Sequence, residues 1–487
     1  MILTNLDYLN NNFFEVIIIG TGPAGISTAL KLEKYKIKTL IIEAGNLELS
    51  EDKENFFKGK VYGDIDPSKD LSSIRSRGFG GTSALWGGHC SKFEKYQFTK
   101  WPIDYEDCYK FENECNKILG LKSYHTGFYY KKFNEDFNQL HRRFASNLRF
   151  KDTYFDKIKN SNYIYLSLNT SFLHFNGSSN QIKSINCRVK DNLIDLKSKY
   201  YVLAAGGIEN SRLLLWSRVK NEKLFHKDLP IGNYYMDHPW HSPGEGVASY
   251  NELIKYFKRN EVSREFYIDC LPRLYLSPNT KFKKDNDLLS IALWLRFKNK
   301  DNLKKSESFL TKALCVAPNF FKTYFEENKE DDLFKFKVSL HHEQEPLFEN
   351  KIYLDKKLDP FGIPLINLNW KMSNKLKRTA KESLIALGKF LIDKNIGRIS
   401  IDEYIFEENF KSIFSGTHQM GGTSMGTDYN NSVVDKDLKV HLIKNLFITG
   451  SSVFPTSGHG HPTYTIICLS LRLGEHLKKI LEEREIK

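Results

Sequence analysis

At 487 residues the chain holds enough material for about three ordinary domains, far more than a small binding module needs. Its 40% hydrophobic content, with 35 Phe and 25 Tyr, excludes intrinsic disorder, which needs few aromatics and strong uniform charge. The excess of 72 Lys and Arg over 59 Asp and Glu gives +13, but lysines such as those in 298–305 alternate with acidic runs such as 326–332, so the charge reads as a solvated surface and no nucleic-acid partner is expected.

The first fourteen residues, MILTNLDYLNNNFF, lack the basic start, apolar stretch and small-residue cleavage site of a secretory signal. The seven cysteines, at 90, 108, 115, 187, 270, 315 and 468, are odd in number and form no CxxC pair, which argues against a disulfide framework and against zinc. A cytoplasmic location is expected. The longest apolar runs, such as Tyr464 to Leu471, fall well short of the 18 or so residues of a membrane span.

Glu15 to Gly20 (EVIIIG) reads as a buried strand, Pro23 to Tyr35 as a helix and Lys38 to Glu43 as a second strand, a βαβ unit with parallel pairing. Between the first strand and the helix lies Gly20-Thr21-Gly22-Pro23-Ala24-Gly25, a GxGxxG turn whose glycines let helix-terminal N–H groups approach a pyrophosphate. Glu43, eighteen residues after Gly25, ends the second strand where a carboxylate accepts hydrogen bonds from an adenosine ribose. This pattern leaves NAD and FAD both open.

A second glycine-rich segment, Gly80-Gly81-Thr82-Ser83 with Trp86-Gly87-Gly88, offers small residues and backbone donors for a second face of a flavin. Tyr163 to Ser198 alternates like antiparallel strands, and Asn176-Gly177 marks a hairpin turn. Tyr200 to Ala205 reads as another buried strand running into Gly206-Gly207, followed by a helix from Glu209 to Trp216. The stretch 240–410 mixes strands, lysine-rich loops and one long helix near Lys375 to Asp393, as a second domain would.

Near the C-terminus, Gly416-Thr417-His418-Gln419-Met420-Gly421-Gly422 sets a histidine among glycines, and Gly458-His459-Gly460-His461-Pro462-Thr463 sets two more before a final amphipathic helix, Thr463 to Glu482. Imidazoles titrate near working pH and serve as general bases, so two such loops in a chain with a dinucleotide fingerprint point to chemistry.

Together these segments resemble the glucose-methanol-choline (GMC) flavoprotein oxidoreductases, almost end to end. The matching stretches include Gly20, Gly22, Gly25 and Glu43; Gly80 to Gly88; Trp101-Pro102-Ile103; Ala204 to Leu215; Met236-Asp237-His238-Pro239; Glu343-Gln344 to Asp359, with Gly362 and Pro364; and the two histidine loops. The resemblance implies an α/β fold in which a Rossmann-like FAD-binding domain is assembled from 12–95, 160–235 and 411–487, and a substrate-binding domain of antiparallel sheet and helices comprises 96–159 and 236–410. It implies FAD held by Gly20, Gly22, Pro23, Ala24, Gly25 and Glu43, by Gly80, Gly81, Thr82, Ser83, Trp86, Gly87 and Gly88, and by Ala205, Gly206, Gly450, Ser451, His461, Pro462 and Thr463. His418 takes the role of catalytic base, with His461 beside the developing alkoxide; Gln344 and His459 are candidates for substrate contact.

Leu85 stands where pyranose-oxidase relatives carry a flavin-linking histidine before the tryptophan, so noncovalent FAD is expected. Gly450 stands where many relatives carry aspartate, removing one expected hydrogen bond to the cofactor. The implied reaction is oxidation of an alcohol, a sugar or sugar derivative in preference, with oxygen or another acceptor taking the electrons. Transfer to a quinone or carrier protein from a non-sugar alcohol, and lyase chemistry on the same scaffold, are the alternatives.

Overall fold

The computed structural model describes residues 1–3, 6–64, 71–121, 130–140, 143–249, 252–253, 255–256, 267–268, 271–298, 333–407, 410 and 413–485. The acidic run 326–332, nearly all of the lysine run 298–305, and Cys270 and Cys315 lie outside the described residues. The five described cysteines are buried free thiols.

The apolar run Phe14–Ile19 is buried and forms the middle strand of a five-stranded parallel sheet in the order 446–448, 198–203, 14–19, 39–42, 164–167. Val16 pairs with Thr39 on one side and Tyr200 on the other. A continuous β-branched run belongs here, because helices cover both faces of such a sheet. The chain leaves the middle strand for opposite neighbours in turn, so a crevice opens at the strands' carboxyl ends, the usual ligand position in open α/β sheets. Helix Pro23–Glu33 fills one flank and touches the long C-terminal helix Pro462–Glu485, where Thr28 Oγ1 donates to Ser470 O at 3.4 Å.

The Asn176-Gly177 hairpin turn is corrected by the structure. Both residues lie inside strand Thr170–Ser178, and Ser178 pairs with Gln181, so the reversal falls three residues later, at Ser179-Asn180. Gly177 serves close approach instead: a Cβ there would stand 2.2 Å from Gln181 O.

The other large sheet is antiparallel and nine-stranded among the described residues; it includes Pro239–Ser249, Leu271–Pro278, Ile291–Lys298 and Leu333–His342. Period-2 alternation divides its faces. Leu274, Leu276, Leu293, Leu295, Val338 and Leu340 form a core with Leu376, Leu384, Leu387 and Leu391 of helix Asn374–Asp393. That helix starts at Ser373, whose side chain accepts the Leu376 N–H as an N-cap. Trp294 and His341 alternate with those leucines and reach the cavity described below.

On the helix side of this sheet His241 Nε2 meets His342 Nε2 at 2.8 Å, and His241 Nδ1 meets Tyr404 OH at 2.7 Å. Burial lowers both imidazoles, His241 to about 3. Both are neutral in the fold while the unfolded chain protonates below 6.5, so their contribution is present above pH 6.5 and lost as pH falls. Each unit below 6.5 costs about 1.4 kcal/mol per imidazole. Buried Asp237, whose carboxyl is raised to about 6 by burial, acts in the opposite direction between that value and its ordinary 3.8. The clean comparison is therefore between variants. From pH 7.5 to 5, His241→Phe should lose about 2 kcal/mol less unfolding stability than the parent, and identical losses would mean that His241 is charged in the fold.

No helix among the described residues is long and apolar enough to cross a membrane.

Candidate active site

A cavity of about 650 Å³ runs along the carboxyl ends of the parallel strands, from Glu43 and Ser171 to His418 and His461. At its first end the chain turns so tightly that a Cβ on Gly20, at φ +108°, would stand 2.6 Å from Ala204 O. A Cβ on Gly25 would stand 2.0 Å from Gly20 O, so this glycine lets helix Pro23–Glu33 seat on the sheet and does not line the cavity. Gly20, Gly22, Pro23 and Ala24 do line it. Glu43 is buried; one carboxylate oxygen accepts the Thr21 N–H (3.2 Å) and hydroxyl (2.6 Å), and the other accepts Gly45 N–H at 2.9 Å.

Three arginines and two more acids wall this end. Arg212 Nη2 donates to Asp359 Oδ2 at 2.6 Å and Nη1 to Glu209 at 2.8 Å, while Arg75 meets Glu209 at 3.1 Å. Asp359 Oδ1 also accepts the N–H groups of Phe361 and Ile363. Arg77 lies over the Phe56 ring at 4.2 Å and donates to Ser171 Oγ at 3.4 Å.

In the second glycine segment Gly81, Thr82, Ser83, Trp86 and Gly87 line the cavity, whereas Gly80 and Gly88 sit behind it. Gly80 N–H donates to Thr21 Oγ1 at 3.3 Å, which ties this loop to the first turn. Arg149 holds its far side by donating to Ser83 O (2.9 Å) and Trp86 O (2.8 Å). Leu85 is on the lining too, with no nucleophile of its own. Ala205, Gly206, Gly450, Ser451, Pro462 and Thr463 complete the wall.

The two C-terminal loops converge at the other end. The rings of His418 and His461 meet edge to face with centroids 4.9 Å apart, and both line the cavity. His461 N–H donates to Ser91 Oγ at 2.6 Å just before Pro462 starts the last helix. His418 N–H donates to Asp237 Oδ1 at 2.8 Å. Its Nδ1 lies 2.8 Å from His238 Nδ1, and His238 Nε2 lies 3.1 Å from Ser457 O. Burial raises Asp237, although N–H donors from His238 and His418 and the Ser415 hydroxyl pull it back.

Gln344 and His459, the two candidates for substrate contact, are outside the lining. Gln344 Oε1 accepts Asp237 N–H at 2.8 Å and its amide donates to Lys371 O, which spends its polar atoms on the backbone. His459 Nδ1 pairs with Ser290 Oγ at 2.7 Å, within 3.7 Å of Glu94. Both side chains are engaged with the scaffold, Gln344 behind the first histidine loop and His459 within the second.

The cavity also gathers side chains that no motif announces. Trp294 stacks on His341 at 4.4 Å and 14°, and His89 lies parallel to Trp294 at 6.0 Å and 5.0 Å from His461. Only the alternation of their strands could have signalled Trp294 and His341. His89 follows the second glycine segment directly, and His238 belongs to the Met236–Pro239 match without a role attached to it.

The donor set fits a dinucleotide. A Cβ on Gly22 or Gly206 would meet nothing within 4 Å, so both backbones face open space beside the helix N-terminus, where a pyrophosphate is favoured. A carboxylate stands at the ribose distance in sequence, and the far end of the cavity holds two imidazoles.

Residues 346–470 match the family model described as GMC oxidoreductase. The fructose dehydrogenase large subunit of Gluconobacter japonicus is 26% identical over 292 residues, 59% of this chain and 48% of that protein. The 2-methyl-1,2-propanediol dehydrogenase of Mycolicibacterium austroafricanum is 28% identical over 303 residues, 58% of this chain and 49% of that protein. The aligned part is thus about half the length of these curated relatives. Among solved structures, pyridoxine 4-oxidase from Mesorbium loti has a TM-score of 0.61 at 12% identity, covering 96% of this chain and 99% of that one. A formate oxidase has a TM-score of 0.58 at 14% identity, covering 97% and 99%. The end-to-end likeness gives the α/β architecture, and residues 346–470 carry a domain that matches the GMC oxidoreductase family.

Proposed function

We propose that the chain binds FAD noncovalently and oxidises the CH–OH group of a small alcohol, a sugar or sugar derivative in preference. The observation that carries this reading is the meeting of His418 and His461 at one end of a cavity whose other end is built from the Gly20–Gly25 turn and Glu43. A neighbouring structure, a formate oxidase of Aspergillus oryzae RIB40, is described by an effect on FAD modification. The sugar preference draws on the name of the fructose dehydrogenase relative.

Gly20, Gly22 and Glu43 would hold the adenosine diphosphate part, with Gly81, Thr82, Gly206, Gly450 and Ser451 along the rest. When bound, FAD supplies the acceptor for the hydride that leaves the carbinol carbon. The chain's own work concerns the proton and the geometry. His418 takes the hydroxyl proton as general base, and His461 donates a hydrogen bond to the oxygen as negative charge develops on it. Trp294 and His341 close the wall opposite, limiting how the alcohol can lie and excluding water.

Both curated relatives are named dehydrogenases, which favours an acceptor other than oxygen, such as a quinone or carrier protein. Anaerobic titration with a panel of sugars and polyols, followed by flavin absorbance, tests the central reading. Bleaching by a member of the panel is expected; a yellow protein that no alcohol bleaches would favour lyase chemistry.

The cofactor assignment has its own test. Acid precipitation should release intact FAD into the supernatant, and Glu43→Ala should weaken FAD retention by about tenfold or more, since charge-assisted hydrogen bonds contribute about 1.5–3 kcal/mol. Flavin in the pellet would refute noncovalent attachment, and unchanged retention would restrict Glu43 to holding Thr21.

A further inference from the structure

One oxygen of a buried carboxylate fixes the backbones of two histidines. Asp237 Oδ1 accepts the N–H groups of both His238, at 2.6 Å, and His418, at 2.8 Å. The stretch around Asp237 is locked to the first histidine loop on both sides, because Met236 and Met420 exchange backbone hydrogen bonds at 2.8 Å and Gly416 N–H donates to His238 O at 2.8 Å. The two imidazoles are thereby held edge to face with centroids 4.9 Å apart.

The hydrogen-bond order then follows from what each atom can do. Ser457 O is a carbonyl and can only accept, so His238 Nε2, 3.1 Å away, carries a proton. In neutral His238 the Nδ1 is consequently an acceptor. The contact of 2.8 Å to His418 Nδ1 is satisfied only when His418 is the donor there. We infer that His238 is a positioning residue that takes the Nδ1–H of His418 and so fixes the basic lone pair of His418 on Nε2.

The inference rests on the alcohol-oxidation reading only for its consequence, since the tautomer itself is a property of the resting protein. In that reaction the substrate proton adds to His418 Nε2, and the resulting cation keeps its Nδ1–H bonded to His238, which stabilises the charge. A base held by a second group in this way is both aimed and tautomerically pure. His238 also ties the first histidine loop to the start of the second, because Ser457 directly precedes Gly458 and its hydroxyl in turn accepts Gln344 N–H at 2.8 Å.

The test uses holoenzyme labelled with ¹⁵N in the histidine rings, with the His418 signals assigned from their loss in His418→Ala. The parent should show His418 protonated on Nδ1. His238→Asn keeps an acceptor near the same place and should preserve that tautomer. His238→Leu should turn His418 to the Nε2–H form, slow flavin bleaching by roughly 10- to 100-fold and move the midpoint of its pH profile downward, because the cation has lost its acceptor. Rescue of both tautomer and midpoint by Asn separates positioning from mere support of the loops. An Nε2–H tautomer in the parent, or an unchanged tautomer in His238→Leu, would overturn the inference. An Nδ1–H tautomer in a protein that no alcohol bleaches would leave it standing and remove the alcohol reading instead.

Discussion

His418→Ala should fold, keep FAD and transfer reducing equivalents from substrate to flavin roughly 10² to 10⁴ times more slowly, the usual contribution of a positioned general base. Retention of the fold is expected because the loop is anchored by the His418 N–H to Asp237 and by the Met236–Met420 exchange, neither of which involves the ring. His461→Asn should be milder, since an amide can still donate to the alkoxide although it cannot act as a base. His459→Ala should affect stability more than rate, because its ring is engaged with Ser290 and not with the cavity. Rapid-mixing measurements of flavin bleaching give the order of the three. A nearly active His418→Ala beside a dead His461→Asn would exchange the base between the loops.

Asp359→Ala should be the most destabilising single change among the polar residues of the cavity wall. Asp359 and Arg212 are each 2% exposed as side chains, and Asp359 additionally receives the N–H groups of Phe361 and Ile363 at the turn between strands Lys351–Leu358 and Pro364–Trp370. Removing the carboxylate leaves the turn uncapped and a buried cation with only Glu209 and two carbonyls for company. Breaking one side of a buried ion pair costs about 3–5 kcal/mol. The temperature of flavin release should fall by about 5 °C or more. Asp359→Asn should lie between, as the amide oxygen can still accept at the turn. Adding Arg212→Met to Asp359→Ala should recover part of the loss, because no uncompensated charge then remains. Strictly additive losses would mean that the pair is not coupled.

Much of the first half of the site was legible because its chemistry is local. The Gly20–Gly25 turn, its strand and helix, and Glu43 lie within one βαβ unit, so spacing alone carries the geometry. The histidine loops were legible for a different reason: imidazoles among glycines are unusual enough to draw notice, although only the tertiary fold separates His461, on the cavity, from His459, two residues away and facing Ser290. Gln344 entered through the Glu343-Gln344 match, and only the tertiary fold shows its amide engaged with the backbone of Asp237 and Lys371. Trp294 and His341 escaped notice because they come from strands whose partners are far along the chain, and no short spacing marks them; Arg212 lies in the Ala204 to Leu215 match, but its partner Asp359 is 147 residues away. The Asn176-Gly177 turn failed because an NG pair is a turn signal only where the strand partner leaves room, and here cross-strand register carried the turn three residues further.

The alternation within the antiparallel sheet separates two kinds of inheritance. In strand Ile291–Lys298, the odd positions Leu293 and Leu295 belong to the core against helix Asn374–Asp393, while Ala292 and Trp294 face the other way with Tyr275. In strand Leu333–His342, Val338 and Leu340 face the helix while His341 faces the cavity. Substitutions at every second residue can therefore redraw the wall that meets a substrate without touching the packing that keeps the sheet folded, so relatives can diverge in what they oxidise while retaining one architecture. The same geometry forbids another route: inserting a single residue into either strand would turn its leucines toward the cavity and its polar rings into the core. Change of substrate in this scaffold should proceed by replacement at fixed length within these strands, with insertions confined to the loops between them.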